Sequence, residues 1–498
     1  MNIVFEKASN GETTCSADKV RLHSYYNPGK EASRFVEQTH CLFNPKYILV
    51  TEPALSYTAD FFRKKFPSVI LCCIRFTNDF NETNSKWDKT FFCGDACKYS
   101  VDLSEQIFNF MGEEGISSCF FTSWKPSEQA FPQTASFAWD EIKKAVMKSR
   151  SVLATRSYFA SRWSKNSLRN CLFINKTGII KEGNSPVLIC ASGPSLLSSI
   201  EKIRQYRNRF FLIAVSSALS PLVQNGIIPD LCISTDGGFW AKLHISFSMK
   251  EKGIPLAIPG EGSCFGSILE NTTAIPLFYG DGISESILKS AELEGMPAKR
   301  NGSVSGTAVH FAMTITSGEI FYCGLDLSFS KGYAHTGPNE LEKNDSRFDC
   351  RTRTLETRTY GQNMNNGSIE IYRSWFSSCN FNGRVFRLSD NYEYASRLDS
   401  IKNCNWDFFL DHTKDWKTKT KPEIKEQAYN FSDCKKLEMM KAAIKKNRNS
   451  REWKINAVPL ETIVVERSLG LQNENEAIMA VDEKMNAFCK DLLRAIEK

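Results

Sequence analysis

The chain reads as an α/β protein whose central part is a doubly wound, mostly parallel sheet. Three observations carry that reading. Residues 186–203, PVLICASGPSLLSSIEKI, pass from an apolar run through a short break into helical spacing. Further apolar, β-prone runs at 210–215, 231–235, 255–258, 275–279 and 320–325 are separated by helical stretches, the pattern of repeated strand–helix–strand units. Polar residues then collect where these runs end: Ser216 and Ser217, Asp236-Gly237-Gly238, and Asp326. In a Rossmann-like sheet such positions line up along one edge, where ligands bind.

The first unit organises the rest. Residues 187–191 make a buried strand, and Leu196, Leu197, Ile200 and Ile203 form one face of the following helix. Between them, Ser192-Gly193-Pro194-Ser195 opens a helix N-terminus at the carboxyl end of the strand, where N–H groups and the helix dipole favour an anion. Gly193 permits positive φ or close backbone approach, Pro194 pre-sets the turn, and Ser195 offers a hydroxyl. The motif is neither GxGxxG nor GxxxxGK[ST].

A chain of 498 residues has room for two or three domains. Hydrophobic residues at 42% and charged residues at 24% describe an ordinary globular protein. The net charge of +7 is spread among interspersed acids and bases. That is a mild bias toward anionic ligands and excludes a polyelectrolyte binder of nucleic acid. No run of about 18 apolar residues is present, and MNIVFEKASNGETT has no basic-then-apolar signal pattern. No membrane contact and a cytoplasmic location are therefore expected. The 17 cysteines sit singly among apolar residues, as Cys72, Cys119, Cys190, Cys232 and Cys323 do, which suits buried thiols in a reducing compartment. Cys93 and Cys97 are the nearest approach to a metal pair, but no second pair or histidine follows at ligand spacing, so no metal site is expected.

In order along the chain, residues 1–135 are expected to form a small α/β domain, with strands at 47–50, 69–73 and 116–122 and a helix within 54–65. Glu52-Pro53 ends the first of these strands as a turn. Residues 136–169 form a basic helical linker carrying Lys143, Lys144, Lys148, Arg150, Arg156 and Arg162, with Tyr158, Phe159 and Trp163 interleaved. It is either a solvated face or a contact surface for an anionic or protein partner. Residues 170–395 are expected to form the central α/β domain. Residues 396–498 are a helical region rich in Lys and Glu, in which Ile478, Val481, Met485, Phe488 and Leu492 follow 3-4 spacing. That stripe suits packing on the protein itself or a homo-oligomer contact.

Four motifs in the central domain carry a resemblance: GPSL at 193–196, GIIPDLCISTDGG at 226–238, GSVSGTA at 302–308 and CGLDLSFSKGYAHTG at 323–337. Their order is similar to that in bacterial sialyltransferases, and more closely resembles the motility accessory factor (Maf) family of flagellin glycosyltransferases, whose central domain is sialyltransferase-like. RWSKNSLRN before the domain, and YRSWF and LSDNYEYASRLDSI after it, also resemble that family. The resemblance covers about 160–400. It departs from the sialyltransferase pattern at Ser192 and at Ser216-Ser217, where asparagines are common.

The resemblance implies an inverting, metal-independent transfer of a nonulosonic acid of the pseudaminic, legionaminic or sialic type. The donor would be its CMP conjugate, the acceptors Ser and Thr hydroxyls of flagellin, and the transfer would serve flagellar assembly and motility. No separate cofactor is implied. The nucleotide would be held by Ser192, Gly193, Pro194, Ser195, Ser216, Asp236, Ser303, Ser305, Gly306 and Thr307, which offer backbone N–H groups, hydroxyls and a carboxylate. An acceptor hydroxyl gains from a base with a pKa near neutral, and His335 matches the histidine of the last motif. Tyr333 would stabilise the leaving group or simply pack. Asp326 and Asp236 would bind sugar hydroxyls, orient His335, or only cap a turn. His310, within an apolar helix, is a core residue. Two alternatives stand beside this reading: a GPSL-type pterin diphosphokinase, and a non-catalytic flagellin-binding or export factor.

Overall fold

The computed structural model describes residues 2–94, 102–239, 241–245, 248–328, 335–337, 339, 340–357, 367–390 and 398–497. Cys97 and Tyr333 lie outside the described residues. The chain divides into two compact units, Met1–Phe159 with Lys454–Asn486, and Ala160–Trp453 with Ala487–Lys498.

The first unit opens with an antiparallel meander, β1 (Ile3–Lys7), β2 (Thr13–Ala17) and β3 (Val20–Arg21). These short, polar-rich strands are not foreshadowed by the sequence pattern. A four-stranded parallel sheet follows, built from β4 (Tyr47–Thr51), β5 (Ile70–Arg75), β6 (Lys89–Phe92) and β7 (Cys119–Ser123) in the order β6-β5-β4-β7. The strand expected at 116–122 begins later, because Ile116 closes the helix Leu103–Ser117 and packs in the core. The chain leaves β4 toward β5 and returns to its other side as β7. This sheet therefore has its own topological switch point at the carboxyl ends of β4 and β7.

The turn after β4 is more than a connection. Glu52, Ala54 and Ser56 all take positive φ, at 32°, 45° and 61°. Arg75, fully buried, holds them: its guanidinium donates to Glu52 Oε1 at 2.9 Å, to the Ala54 carbonyl at 2.8 Å and to Ser56 Oγ at 2.7 Å. Thr83 and Asn84 accept its remaining N–H groups. Burial pushes the Glu52 carboxyl up, against the pull of Arg75 and the N–H of Phe76.

The second unit is the expected α/β domain. Its sheet has eleven strands. They are β8 (Lys176–Lys181), β9 (Val187–Cys190), β10 (Phe211–Val215), β11 (Leu231–Ile233), β12 (Leu256–Pro259), β13 (Ala274–Phe278), β14 (Met296–Pro297), β15 (Ile320–Cys323), β16 (Val385–Leu388), β17 (Lys402–Cys404) and β18 (Glu423–Ala428). The order is β17-β16-β15-β9-β10-β11-β12-β13-β8-β18, with β14 beside β13. All pairings are parallel except β18 on β8. Val187–Cys190 and Ile320–Cys323 are wholly buried, as expected of central parallel strands covered on both faces. Strand order reverses between β9 and β15, which places the principal crevice at their carboxyl ends. Within 396–498, expected to be helical, β17 and β18 are strands. On the last helix, Glu474–Glu497, Val481, Met485 and Leu492 of the heptad-like stripe are buried. Among the described residues, no helix is long and apolar enough to cross a membrane.

Candidate functional site

The site is built where β9 and β15 end side by side. Ala191 donates its N–H to Cys323 O at 2.8 Å and Gly193 to Gly324 O at 2.7 Å, so the two strand ends stay paired into their turns. This closeness is what requires the glycines. A Cβ on Gly193 would lie 2.4 Å from the Gly324 carbonyl oxygen, and one on Gly324 would lie 2.3 Å from that of Ala191. Gly324 takes the positive φ, at 73°; Gly193 does not, so its need for glycine is close approach alone. Gly193→Ala is expected to destabilise the second unit by about 1–3 kcal/mol, the usual cost of forcing extra atoms into a packed site. Chemical denaturation of the variant checks this.

Asp326 and Ser195 meet across this junction. The Asp326 carboxylate accepts the Ser195 N–H at 2.7 Å on one oxygen and the Ser195 hydroxyl on the other. Asp326 is 3% exposed and thus serves the helix Leu196–Gln205 as its internal N-terminal anion. The contact occupies the Ser195 N–H and hydroxyl with a carboxylate at the place where the sequence reading puts a phosphate. Through this contact Asp326 positions the turn. Arg373 and Arg387 hold its flanks by donating to the carbonyls of Leu327, at 3.1 Å, and Leu325, at 3.2 Å.

Of the two serines after β10, it is Ser217 that reaches the turn: its hydroxyl donates to Ser192 Oγ at 2.8 Å. Ser216 is buried at the start of the helix Ser216–Gln224. Ser303 caps the helix Val304–Ile315 by accepting the Gly306 N–H at 3.0 Å. That helix packs on β9, β10 and β15, so its N-terminus opens at the same sheet edge as the GPS turn. Ser303 and Ser305 are half-buried, whereas Gly306 and Thr307 are buried. Asn301 explains Gly306, because its side-chain amide occupies the space a Cβ would need.

His335 is held at the turn by its neighbour. The Thr336 N–H donates to Ser192 O at 2.6 Å, which ties the last sequence motif to the first. His335 is exposed as a residue, and its ring lies 6.2 Å from the ring of His244. Crowding by surrounding protein lowers the His335 pKa below the ordinary 6.5, so the imidazole is neutral at pH 7.

Two strands from β9, Asp236 is exposed and accepts the Gly238 N–H at 2.8 Å, forming its own turn. Its charge, added to burial, raises the pKa of Tyr372. The motif RWSKNSLRN has a specific task here. Asn166 donates to the carbonyls of Gly237 and Glu261, Asn170 to those of Gly260 and Gly262, and Trp163 fills the space against Gly237. This one helix face fixes the loops after β11 and β12. Arg300 sits between Glu261 and Asp281 with its guanidinium 4.5 Å from the Tyr279 ring centre. Burial opposes its charge, yet the two carboxylates raise its pKa, so this cation is already matched.

Lys242 was passed over in the sequence, although it stands four residues beyond the DGG motif. Its ammonium rests 4.3 Å from the Phe239 ring centre and 4.8 Å from that of Phe265. Among the described residues it has no ion pair, and it shares the short helical turn Ala241–His244 with His244, whose ring lies 6.2 Å from that of His335.

The comparisons with known proteins come to three findings. Residues 163–332 match the family model described as 6-hydroxymethylpterin diphosphokinase MptE-like, a span that begins at Trp163 and ends before His335. Two uncharacterized proteins of Treponema pallidum (strain Nichols) are similar to this chain. The first is 32% identical over 282 residues, covering 55% of this chain and 61% of that protein. The second is 30% identical over 126 residues, covering 24% of this chain and 60% of that protein. This chain thus spans about three fifths of the length of either. Among solved structures, the Maf glycosyltransferase from Magnetospirillum magneticum AMB-1 aligns over 99% of this chain and 87% of that one, at 11% identity and a TM-score of 0.47.

Proposed function

We propose that the protein is an inverting glycosyltransferase that moves a nonulosonic acid from a CMP-sugar to serine or threonine hydroxyls of flagellin. The observation that carries this reading is the hydrogen bond from Thr336 to Ser192. It ties a neutral histidine to the turn at the switch point of a doubly wound sheet, where an activated donor is expected to lie. In this reading an imidazole nitrogen of His335 takes the proton of the acceptor hydroxyl. The hydroxyl oxygen forms the new bond to the anomeric carbon, and the bond to the phosphate breaks on the opposite face, its electrons leaving with CMP.

The residues divide the remaining work. The N-terminus of the helix Val304–Ile315, with Ser303 and Ser305, receives the departing phosphate. The Ser192–Ser217 hydroxyl pair and Asp236 take hydroxyl groups of the donor. Lys242 pairs with the sugar carboxylate. The Ser195–Asp326 clasp keeps the floor of the crevice in place.

The match over 163–332 favours a second reading, transfer of diphosphate from ATP to the hydroxymethyl group of a pterin. The matched span holds the GPSL turn and Asp326 but not His335. One experiment separates the two. The purified protein is given either a CMP-nonulosonic acid with flagellin or ATP with 6-hydroxymethylpterin, and nucleotide release is followed by chromatography. CMP release that depends on flagellin supports the transferase. AMP release that depends on the pterin, with no CMP release, overturns it.

A further inference from the structure

We propose that the first unit carries a ligand site of its own, a groove that binds a nucleoside diphosphate. The groove has a volume of about 790 Å³, within the usual range for small-molecule sites. One wall is the helix Pro28–Gln38, preceded by Tyr26 and Asn27; the other is the segment Trp124 to Pro126, which leaves the carboxyl end of β7. It therefore lies at the edge where β4 and β7 define a switch point, the position at which nucleotides bind such sheets.

Its charges are uncommitted. Lys30, Arg34 and Lys125 all line the groove and are exposed, and among the described residues none of them forms an ion pair. Lys30 and Arg34 are one helical turn apart, about 6 Å along the axis, so their side chains address the same stretch of ligand. Three cations facing one cavity suit two linked phosphates.

The single carboxylate fits the same ligand. Glu31 Oε2 accepts the Ser24 N–H at 2.7 Å, leaving its other oxygen open toward ribose hydroxyls. Glu31 is backed by His23, which is 1% exposed. Leu55 donates its N–H to His23 Nε2 at 3.1 Å, so the imidazole proton is assigned to Nδ1. That nitrogen is buried without a hydrogen-bond partner and faces Glu31 Oε2 at 3.7 Å, short of a bond. A buried donor left unsatisfied carries a free-energy cost, and a small inward shift of Glu31 on ligand binding would remove it. The exposed ring of Tyr26 supplies a stacking surface for the base.

The test uses the full chain and ADP, titrated calorimetrically with and without excess CMP to occupy the second unit. ADP is expected to bind in both conditions, with affinity falling at least tenfold in Arg34→Glu and in Lys125→Glu. Both positions are exposed, and circular dichroism confirms the fold; Arg34→Gln replaces the charge reversal if that variant is unfolded. No heat at 1 mM ADP, affinity untouched by the substitutions, or displacement of ADP by CMP would each overturn the proposal. So would binding of an acidic hexapeptide at Arg34 in place of ADP, which would mark the groove as a protein contact. None of these outcomes depends on whether the second unit transfers a sugar.

Discussion

His335→Ala is expected to lower the rate of sugar transfer by roughly 10²- to 10⁴-fold, the usual span for loss of a general base. The fold should survive, because the residue is exposed and the Thr336 contact to Ser192 is made by the backbone. The pH profile separates a base from a merely structural residue. Only neutral imidazole accepts the proton, so the rate falls as the ring protonates. With its pKa held below 6.5, the acid limb of the profile should lie below pH 6.5, and the rate should be level from there to pH 7. In His335→Ala the small residual rate should lose that limb. A variant that keeps wild-type turnover, or keeps the same acid limb, shows that another group does the work. His244, one ring away, is then the first to examine.

Arg75→Met is expected to cost about 3–5 kcal/mol, the penalty for leaving one member of a buried ion pair alone. Glu52 is fully buried, and without the guanidinium its carboxyl must either stay charged in the core or take up a proton. The same change releases the Ala54 carbonyl, Ser56 and Thr83, and so the positive-φ turn they hold. Glu52→Leu combined with Arg75→Met should cost less than the Arg75 change alone, because no unpaired charge remains. Urea unfolding of the single and double variants measures both. An Arg75→Met protein within 1 kcal/mol of wild type would show that the pair is not a structural keystone of the first unit.

These two expectations differ in how far the sequence foretells them. The strand at Val187–Cys190, its turn and the helix Leu196–Gln205 are legible because all of the information is local: an apolar run, a break and helical spacing. The same holds for β10, β11, β12, β13 and β15. The strand β18 is not legible, since EIKEQA is mostly exposed and exists as a strand through its antiparallel pairing with Lys176–Lys181. Arg75 lies just beyond the strand expected at 69–73, and only the fold buries it beside Glu52.

The site shows the same division. That Ser192, Asp326 and His335 gather at one edge follows from strand ends in a parallel sheet. Which atoms touch does not. Ser195 and Asp326 are 131 positions apart, and nothing local in the sequence announces their contact. Ser217 rather than Ser216 faces Ser192 because of the helix phase after β10, which an adjacent pair of serines conceals. Lys242 lies in a short turn with no periodicity to mark it.

The account's central claim is that His335 stands over a donor site and activates a protein hydroxyl. The most direct measurement is the intact mass of flagellin co-expressed with this protein in a host that makes the activated sugar. The account predicts one or more added nonulosonic acid masses with the wild-type chain, and unmodified flagellin with His335→Ala. Unmodified flagellin with the wild-type chain, in a host shown to contain the CMP-sugar, would contradict it.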